Sequence, residues 1–378
     1  MANEYKNNHY VPIWYQRGFV INPATDHQLY CLNLNPPKFF DSNGGIHTGN
    51  AVKRKSFKQC FVEKDLYTTN FNDIESQEIE KYFFGSIDIK GRRAVEKCAD
   101  FSHPWDGSDF FNELLYYMST QKLRTPKGLA WLHKEVGKAK IKSDKNSVLS
   151  HMIKLRQMYD AIWMESVWLI ADASKSDTKF IVSDHPVTVY NRRCDPKSYK
   201  CKGFNDPDIR LHASHTIFPL SLDKILIFTN LSWVRNPYQN ELGVRPNPSF
   251  FRNAVLHIND IQTLRFLSEE EVRQINFIIK NRAYKYVAAA KKEWLFPEKY
   301  VSESDWRNFG QGYLLMPDPR SVVYGGQLLI GHKDGTSEAY DEYGRRPWQS
   351  GFKGFDKSGV DEDWDTLHQF QGEFARLI

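Results

Sequence analysis

The chain has 378 residues, a net charge of +5 and a pI near 8.7, and 41% of it is hydrophobic. It can therefore bury a sizeable core in two domains or one large one, and its small positive charge permits contact with nucleic acid without requiring it. No apolar run is long enough to cross a bilayer, and the first residues lack the apolar core of a signal peptide, so we expect a cytoplasmic protein with no membrane partner. The five cysteines lack the spacing of a zinc site and are expected to be reduced thiols.

The segment Asn8–Pro12 places a histidine just before a proline that can open a helix. His9 would then lie near the positive end of a helix dipole, where an anion can also bind. We predict His9 as a catalytic residue, with Tyr10 and Arg17 contacting substrate. The alternative is a structural histidine that bonds a neighbouring carbonyl.

The first half of the chain is predicted to be mostly helical after an early strand. Thr125 is a favourable N-cap and Pro126 a favourable first residue for the helix that follows. The predicted strand is 28–34, and the predicted helices begin near Ile74 and span 109–123, 127–140 and 148–172.

The second half alternates strands with two helices and ends in a Gly-rich and Asp-rich segment. Ser268 and Glu271 form a capping-box pattern before an apolar stripe, and Lys333–Thr336 is typical of a hairpin turn. The predicted strands are 179–182, 187–190, 215–220 and 224–230, and the predicted helices are 250–257 and 268–290.

Together these elements predict a mixed α/β (α+β) fold in which a helical bundle packs on a small mixed sheet. We divide the chain into a core unit, residues 1–295, and a β-rich appendix, residues 296–378, which could bind a protein partner.

Asp184 and His185 follow an apolar strand and precede Pro186, so they should lie at the carboxyl end of that strand. Ligands of α/β sheets commonly bind at such an edge, where a carboxylate can hold a metal or accept a proton. We predict Asp184 as a catalytic residue and metal ligand, and His185 as a substrate contact. The alternative is a turn capped by side-chain bonds.

Helical residues supply the other candidates. Arg124 could clamp a phosphate, with Gln121 one turn earlier on the same face, or it could simply favour a helix C-terminus. Glu80 and Asp88 are two turns apart and could hold Mg²⁺ or Mn²⁺ with Asp184, or they could form a solvated acidic face. His212 with His215, and the basic residues 53–55, 58 and 192–193, are more often ordinary loop residues.

Six motifs in this order resemble the domain of unknown function 4238 family of bacteria and their mobile elements. The resemblance covers roughly residues 5–290. It implies that these residues fold as one unit and share a set of candidate site residues, but it implies no reaction. The matching segments are Asn8–Pro12 with Phe19, Asp65–Thr68, Glu80 with Asp88, Gln121 with Arg124–Pro126, Phe180–Val187, and Phe218–Ser221.

The set of histidine, arginine and carboxylates, with no obvious nucleophile, is typical of metal-assisted attack by water on a phosphodiester. We therefore expect a metal-dependent hydrolase of a phosphate-containing substrate, most plausibly a nuclease acting as a toxin or defence effector on nucleic acid. The alternatives are a non-catalytic module that recognises a nucleotide or peptide, and a metal-free transferase. The chain lacks the signatures of NTPases, dehydrogenases, α/β-hydrolases and zincins.

Overall fold

The structure, a computed structural model, shows an α+β fold with sheets of mixed strand orientation. It describes residues 7–41, 45–67, 69–71, 74–76, 84–102, 110–138, 145–164, 166–201, 203–211, 214–229, 261–310, 313–314, 327–331, 335–341 and 348. None of the helices in these ranges combines the length and the apolar character needed to span a bilayer.

Two sheets form the centre of the molecule. The strands of the five-stranded sheet are β9 (Val167–Asp172), β11 (Thr188–Asn191), β12 (Ser214–Pro219), β13 (Lys224–Thr229) and β14 (Gln262–Phe266). Their order is β11-β12-β13-β9-β14, and the sheet is mixed, because β14 runs parallel to β9 while the other pairs are antiparallel.

The strands of the four-stranded sheet are β2 (Gln28–Asn33), β5 (Val52–Ser56), β10 (Val182–Ser183) and β15 (Tyr286–Ala289). The sheet is antiparallel, in the order β10-β15-β2-β5. Small two-stranded sheets pair β1 (Asn7–His9) with β6 (Val62–Lys64), β3 (Lys38–Phe40) with β4 (Ile46–Thr48), and β7 (Thr69–Phe71) with β8 (Ile74–Ser76).

Among the described residues the helices are α1 (Ile13–Arg17), α2 (Gly85–Asp100), α3 (Phe111–Arg124), α4 (Pro126–Lys138), α5 (Lys145–Met164) and α6 (Glu269–Arg282). Helices α3 and α5 pack on the five-stranded sheet, since the Phe111 ring lies 5.2 Å from Trp168 of β9 and the Trp163 ring lies 5.8 Å from Phe228 of β13, between centroids. Along α3 every residue from Tyr117 to Arg124 is buried.

Two predicted helices are too long, and each continues in the structure as a strand. Residues 167–172 form β9, and residues 286–289 form β15. Both segments are short apolar runs buried in the middle of a sheet, and such a run fits a helical pattern as well as a strand pattern. The predicted helix start near Ile74 is also wrong, because Ile74–Ser76 is a strand and α2 begins at Gly85.

The capping box of α6 is confirmed, since Ser268 Oγ accepts the Glu271 N–H and Glu271 accepts the Ser268 N–H. The predicted C-terminal hairpin is confirmed as β16 (Gln327–Gly331) paired with β17 (Ser337–Asp341). Side chains as far as Leu314, including Trp306, belong to the same core as the rest of the fold. The division at residues 295/296 stays a prediction, and helix 250–257 lies outside the described residues.

Candidate functional site

The turn between α3 and α4 carries two predicted site residues, Gln121 and Arg124, and lies next to a third, His185. Thr125 has an extended backbone that ends α3, and its Oγ1 accepts the Gly128 N–H at 3.2 Å in the first turn of α4. A Cβ on Gly128 would lie 2.4 Å from the Lys122 carbonyl oxygen, so a glycine is needed for this close approach. The tight turn sends neighbouring side chains of α3 to different partners.

Arg124 joins α3 to α2 and to the N-terminal segment. Its Nε donates to Gln121 Oε1 and its guanidinium donates to Asp88 Oδ1, each at 2.7 Å. The Gln121 amide in turn donates to the Tyr10 carbonyl oxygen at 2.7 Å. Four predicted site residues therefore meet, but their polar groups bind one another, and Arg124 is only 2% exposed.

Asp184 is buried, and it holds the backbone that leads into β15. Oδ1 accepts the N–H of Tyr284 at 2.8 Å, and Oδ2 accepts those of Lys285 at 2.6 Å and Tyr286 at 2.8 Å. Burial raises the pKa of this carboxyl to about 6, although the three N–H donors act in the opposite direction. Asp184 therefore binds backbone N–H groups of a distant segment and not of its own turn, where Ser183 Oγ accepts the His185 N–H at 3.2 Å. The catalytic role of Asp184 stays a prediction.

His185, the next residue, contacts Lys122 near the end of α3 and Thr125 just after it. Its Nε2 lies 2.8 Å from Lys122 Nζ, and its Nδ1 lies 2.7 Å from Thr125 Oγ1. Burial, with the Lys122 charge, lowers the pKa of the imidazole to about 3. The ring is therefore neutral at pH 7, with one ring nitrogen as a donor and the other as an acceptor.

Asp206 completes this cluster and was missed by the sequence prediction. One carboxylate oxygen binds Lys122 and lies 3.0 Å from His185 Nε2, and the other binds Lys127. Although burial raises the pKa of Asp206, the two lysines hold it well below its ordinary value. Burial lowers the pKa of Lys122 to about 8 against the pull of Asp206, so its ammonium is charged at pH 7. Asp206 lies in a loop with no motif around it, so only the fold could reveal it.

A pocket of about 450 Å³ opens beside this cluster. Its wall includes Trp131 of α4, Tyr159 of α5 and Phe204 from the loop that carries Asp206. Its charged residues are Lys122, Lys127, Lys138, Lys200, Arg210, Glu135, Asp206 and Asp208.

His9 and Arg17 are not among the residues that line this pocket. His9 bonds the Lys58 carbonyl at 3.1 Å, as its structural alternative foresaw, and burial lowers its pKa. Arg17 is exposed, and Glu80 lies outside the described residues. His9, Arg124 and Asp184 thus bond three different sets of partners.

The proposed metal ligands stay a prediction. Among the residues that the structure describes, no group of three or more His, Cys, Asp or Glu side chains could hold a metal ion. His212 falls outside those residues, whereas His215 is buried with Nδ1 3.0 Å from Thr229 Oγ1, and burial lowers its pKa to about 3.

Comparison with known proteins confirms the resemblance inferred from the motifs. The model of the family described as "Protein of unknown function (DUF4238)" matches residues 7–293, about three quarters of the chain. The chain therefore belongs to this family. No curated protein and no solved structure matches it.

Proposed function

We propose that this member of the DUF4238 family binds a phosphate-bearing ligand of the nucleotide class in the pocket beside Lys122. The observation that carries the proposal is the buried trio of Lys122, Lys127 and Asp206, in which two ammonium groups share one carboxylate. The trio therefore has an excess positive charge beside an open pocket, and a phosphate oxygen would compensate it.

The other charges of the pocket strengthen this preference for an anion. Lys138 is paired with Glu135, and Arg210 is paired with Asp208, so these four side chains cancel one another. Lys200 at the wall adds a second positive charge. The net charge of the pocket is therefore positive both at its base and on its wall.

The aromatic walls favour a ligand that also carries a planar ring. Trp131 and Phe204 are both partly exposed in the pocket, so a base could stack on either ring. A cavity of about 450 Å³ falls in the range of small-molecule sites. A nucleotide combines the required phosphate with the required ring.

Metal-dependent hydrolysis of such a ligand, as a toxin or defence nuclease, is the enzymatic form of this proposal. In this form of the proposal Mg²⁺ or Mn²⁺ arrives with the phosphates of the ligand, because the described residues hold no group of three or more metal-ligating side chains. A neutral His185 beside a charged Lys122 also supplies one proton acceptor and one proton donor.

Isothermal titration calorimetry with AMP, ATP and inorganic phosphate tests the binding proposal. We expect ATP to bind more tightly than phosphate, and Trp131→Ala to weaken ATP more than phosphate. The variant Lys122→Met leaves Lys127 and Asp206 as one balanced buried pair, so it should fold, yet it removes the excess positive charge and should lose at least tenfold in affinity for both ligands. Lys175→Gln, which removes an exposed lysine in the turn after β9, is the control.

Analysis of the products formed from AMP and ATP in the presence of Mg²⁺, Mn²⁺ or chelator decides between turnover and binding alone. Cleavage that chelator abolishes supports the hydrolase, whereas tight binding without products supports a recognition module. An affinity for ATP that is unchanged in both pocket variants would overturn the proposal.

A further inference from the structure

A row of basic and aromatic side chains leads from the four-stranded sheet to the pocket. Tyr284, Lys285 and Tyr286 are consecutive, and the Asp184 carboxylate fixes the backbone N–H of all three. Tyr284 and Lys285 are exposed, so their side chains extend into solvent from a backbone that hydrogen bonds hold in place. Because this backbone is already ordered, the protein loses less conformational entropy when a ligand binds there.

Two lysine side chains lie near the ring of Tyr286, the first residue of β15. The ammonium groups of Lys55, on β5, and Lys285 lie 5.0 Å and 5.3 Å from the centroid of the Tyr286 ring. Cation–π attraction therefore holds two positive charges near one ring. Lys53 is exposed two residues before Lys55 on the same strand, and alternate residues of a strand share a face.

Aromatic rings connect this basic patch with the pocket. The rings of Tyr284 and Phe204 lie 5.4 Å apart, and Tyr284 is 39% exposed and Phe204 37% exposed. Phe204 also lines the pocket beside Asp206. The row thus runs from Lys53, Lys55 and Lys285 through the two exposed rings to the phosphate-binding pocket.

Acidic side chains near Tyr284 leave this positive charge in place. Glu298 and Glu303 border the cavity on the other side of Tyr284, and each is paired with a lysine, Lys280 or Lys197. Because both carboxylates are already paired, they do not cancel the positive charge of Lys53, Lys55 and Lys285.

We propose that a single-stranded nucleic acid lies along this row, with phosphates on Lys53, Lys55 and Lys285, bases on Tyr284 and Phe204, and one nucleotide in the pocket. Positive charge that follows a backbone and rings that accept any base are the two features of single-strand binding. The inference rests on the proposed function for the pocket, but it adds a polymeric ligand and its path.

Fluorescence anisotropy with labelled oligonucleotides of 2, 6 and 12 nucleotides tests the proposal, with calorimetric AMP and ATP binding measured beside it. We expect affinity to rise with length until the row is filled. Lys55→Gln/Lys285→Gln should weaken the 12-mer about tenfold or more and make its salt dependence shallower by roughly 1.4 in the log–log slope, about 0.7 per phosphate contact of a single strand. Tyr284→Ala should weaken the 12-mer by a similar factor and leave ATP binding unchanged.

A matched control removes the same charge elsewhere. Lys175 lies 3.5 Å from the Phe266 ring and Lys291 lies 5.2 Å from the Trp294 ring, so Lys175→Gln/Lys291→Gln deletes two lysines from two cation–π contacts outside the row. We expect this variant to bind the 12-mer like the unmodified protein. Equal losses in the two double variants would show a response to net charge alone and would overturn the proposal.

Three further outcomes are decisive. If ATP binds but the 12-mer binds no more tightly, the row is not a nucleic-acid path and only the pocket proposal stands. If the 12-mer binds through Lys55 and Tyr284 while ATP does not bind, the row stands and the pocket proposal fails. Equal affinity for polyglutamate or for an abasic 12-mer would overturn the proposal, because stacking on Tyr284 would then contribute nothing.

Discussion

Asp184 shows how one position in a sequence can suit two different roles. Its place after a buried strand and before Pro186 suits a ligand-binding carboxylate and a capped turn equally well. The structure gives it three backbone N–H partners from a segment 100 to 102 residues further along the chain. No local sequence pattern could predict these donors, because they belong to residues that only the fold brings close to Asp184.

We predict that Asp184→Ala lowers the free energy of unfolding by at least about 3 kcal/mol, because each of three buried N–H groups left without an acceptor costs about 1 kcal/mol or more. Asp184→Asn should cost less, since its amide oxygen still accepts one or two of these bonds. Urea unfolding at pH 7 measures both. An unchanged midpoint in Asp184→Ala, with a loss of ligand binding or cleavage, would instead support the catalytic and metal roles.

At the scale of elements, the sequence predicts a helix or strand well where its ends carry caps. Thr125 and Pro126 mark the start of α4, and Ser268 with Glu271 marks the start of α6, and both are found as predicted. The ends of α5 and α6 were predicted wrongly, because the strands that follow are apolar on both faces. Only the partner strands in the sheet decide the conformation of such segments.

The contact between α2 and α3 depends on Gly91. A Cβ at this position would lie 2.4 Å from the Tyr117 ring, whereas a Cβ on Gly137, in α4, would meet nothing within 4 Å. We predict that Gly91→Ala destabilises the protein by roughly 1–3 kcal/mol through overpacking, despite the better helix propensity of alanine. Gly137→Ala is the control and should be neutral or stabilising by up to about 1 kcal/mol. Thermal unfolding of both variants, with opposite shifts in Tm, checks the prediction, and a similar shift in both would contradict it.

The capping box of α6 gives a second prediction at this scale. Ser268→Ala removes the acceptor of the Glu271 N–H, so we expect a loss of about 1 kcal/mol in the free energy of unfolding. Ser268→Asp keeps an acceptor at the N-cap and should retain most of the stability. Urea denaturation of the two variants measures the difference, and equal losses would mean that the hydroxyl does not cap the helix.

On the scale of the whole molecule, buried neutral histidines link stability to pH. His185 and His215 have pKa values of about 3 in the fold, against about 6.5 in an unfolded chain. Between these values the unfolded state binds more protons, so stability falls as the pH drops from 6.5 towards 3. Asp184 acts with the opposite sign, because its pKa of about 6 lies above its ordinary value, and its protonation favours the fold between pH 6 and 3.8.

We therefore predict that His215→Gln reduces the dependence of stability on pH by about 1.4 kcal/mol per pH unit between pH 6 and pH 4. Asp184 and His185 titrate in both proteins, so their effects cancel in the comparison. Urea unfolding at pH 7, 6, 5 and 4 measures the two slopes. Parallel slopes would show that the imidazole of His215 is protonated within the fold and is not neutral.

The six residues from Gln121 to Pro126 form one motif in the sequence, but their side chains serve two neighbourhoods. Gln121 and Arg124 bind α2 and the N-terminal segment, whereas Lys122 and Thr125 bind His185, and Lys122 and His185 line the pocket. A saturation scan should therefore give phenotypes that repeat every three positions, with loss of thermal stability alternating with loss of ligand affinity. A homologue that differs at Gln121 should therefore also differ at Arg124, and one that differs at Lys122 should also differ at Thr125. Changes in one of these pairs should be independent of changes in the other.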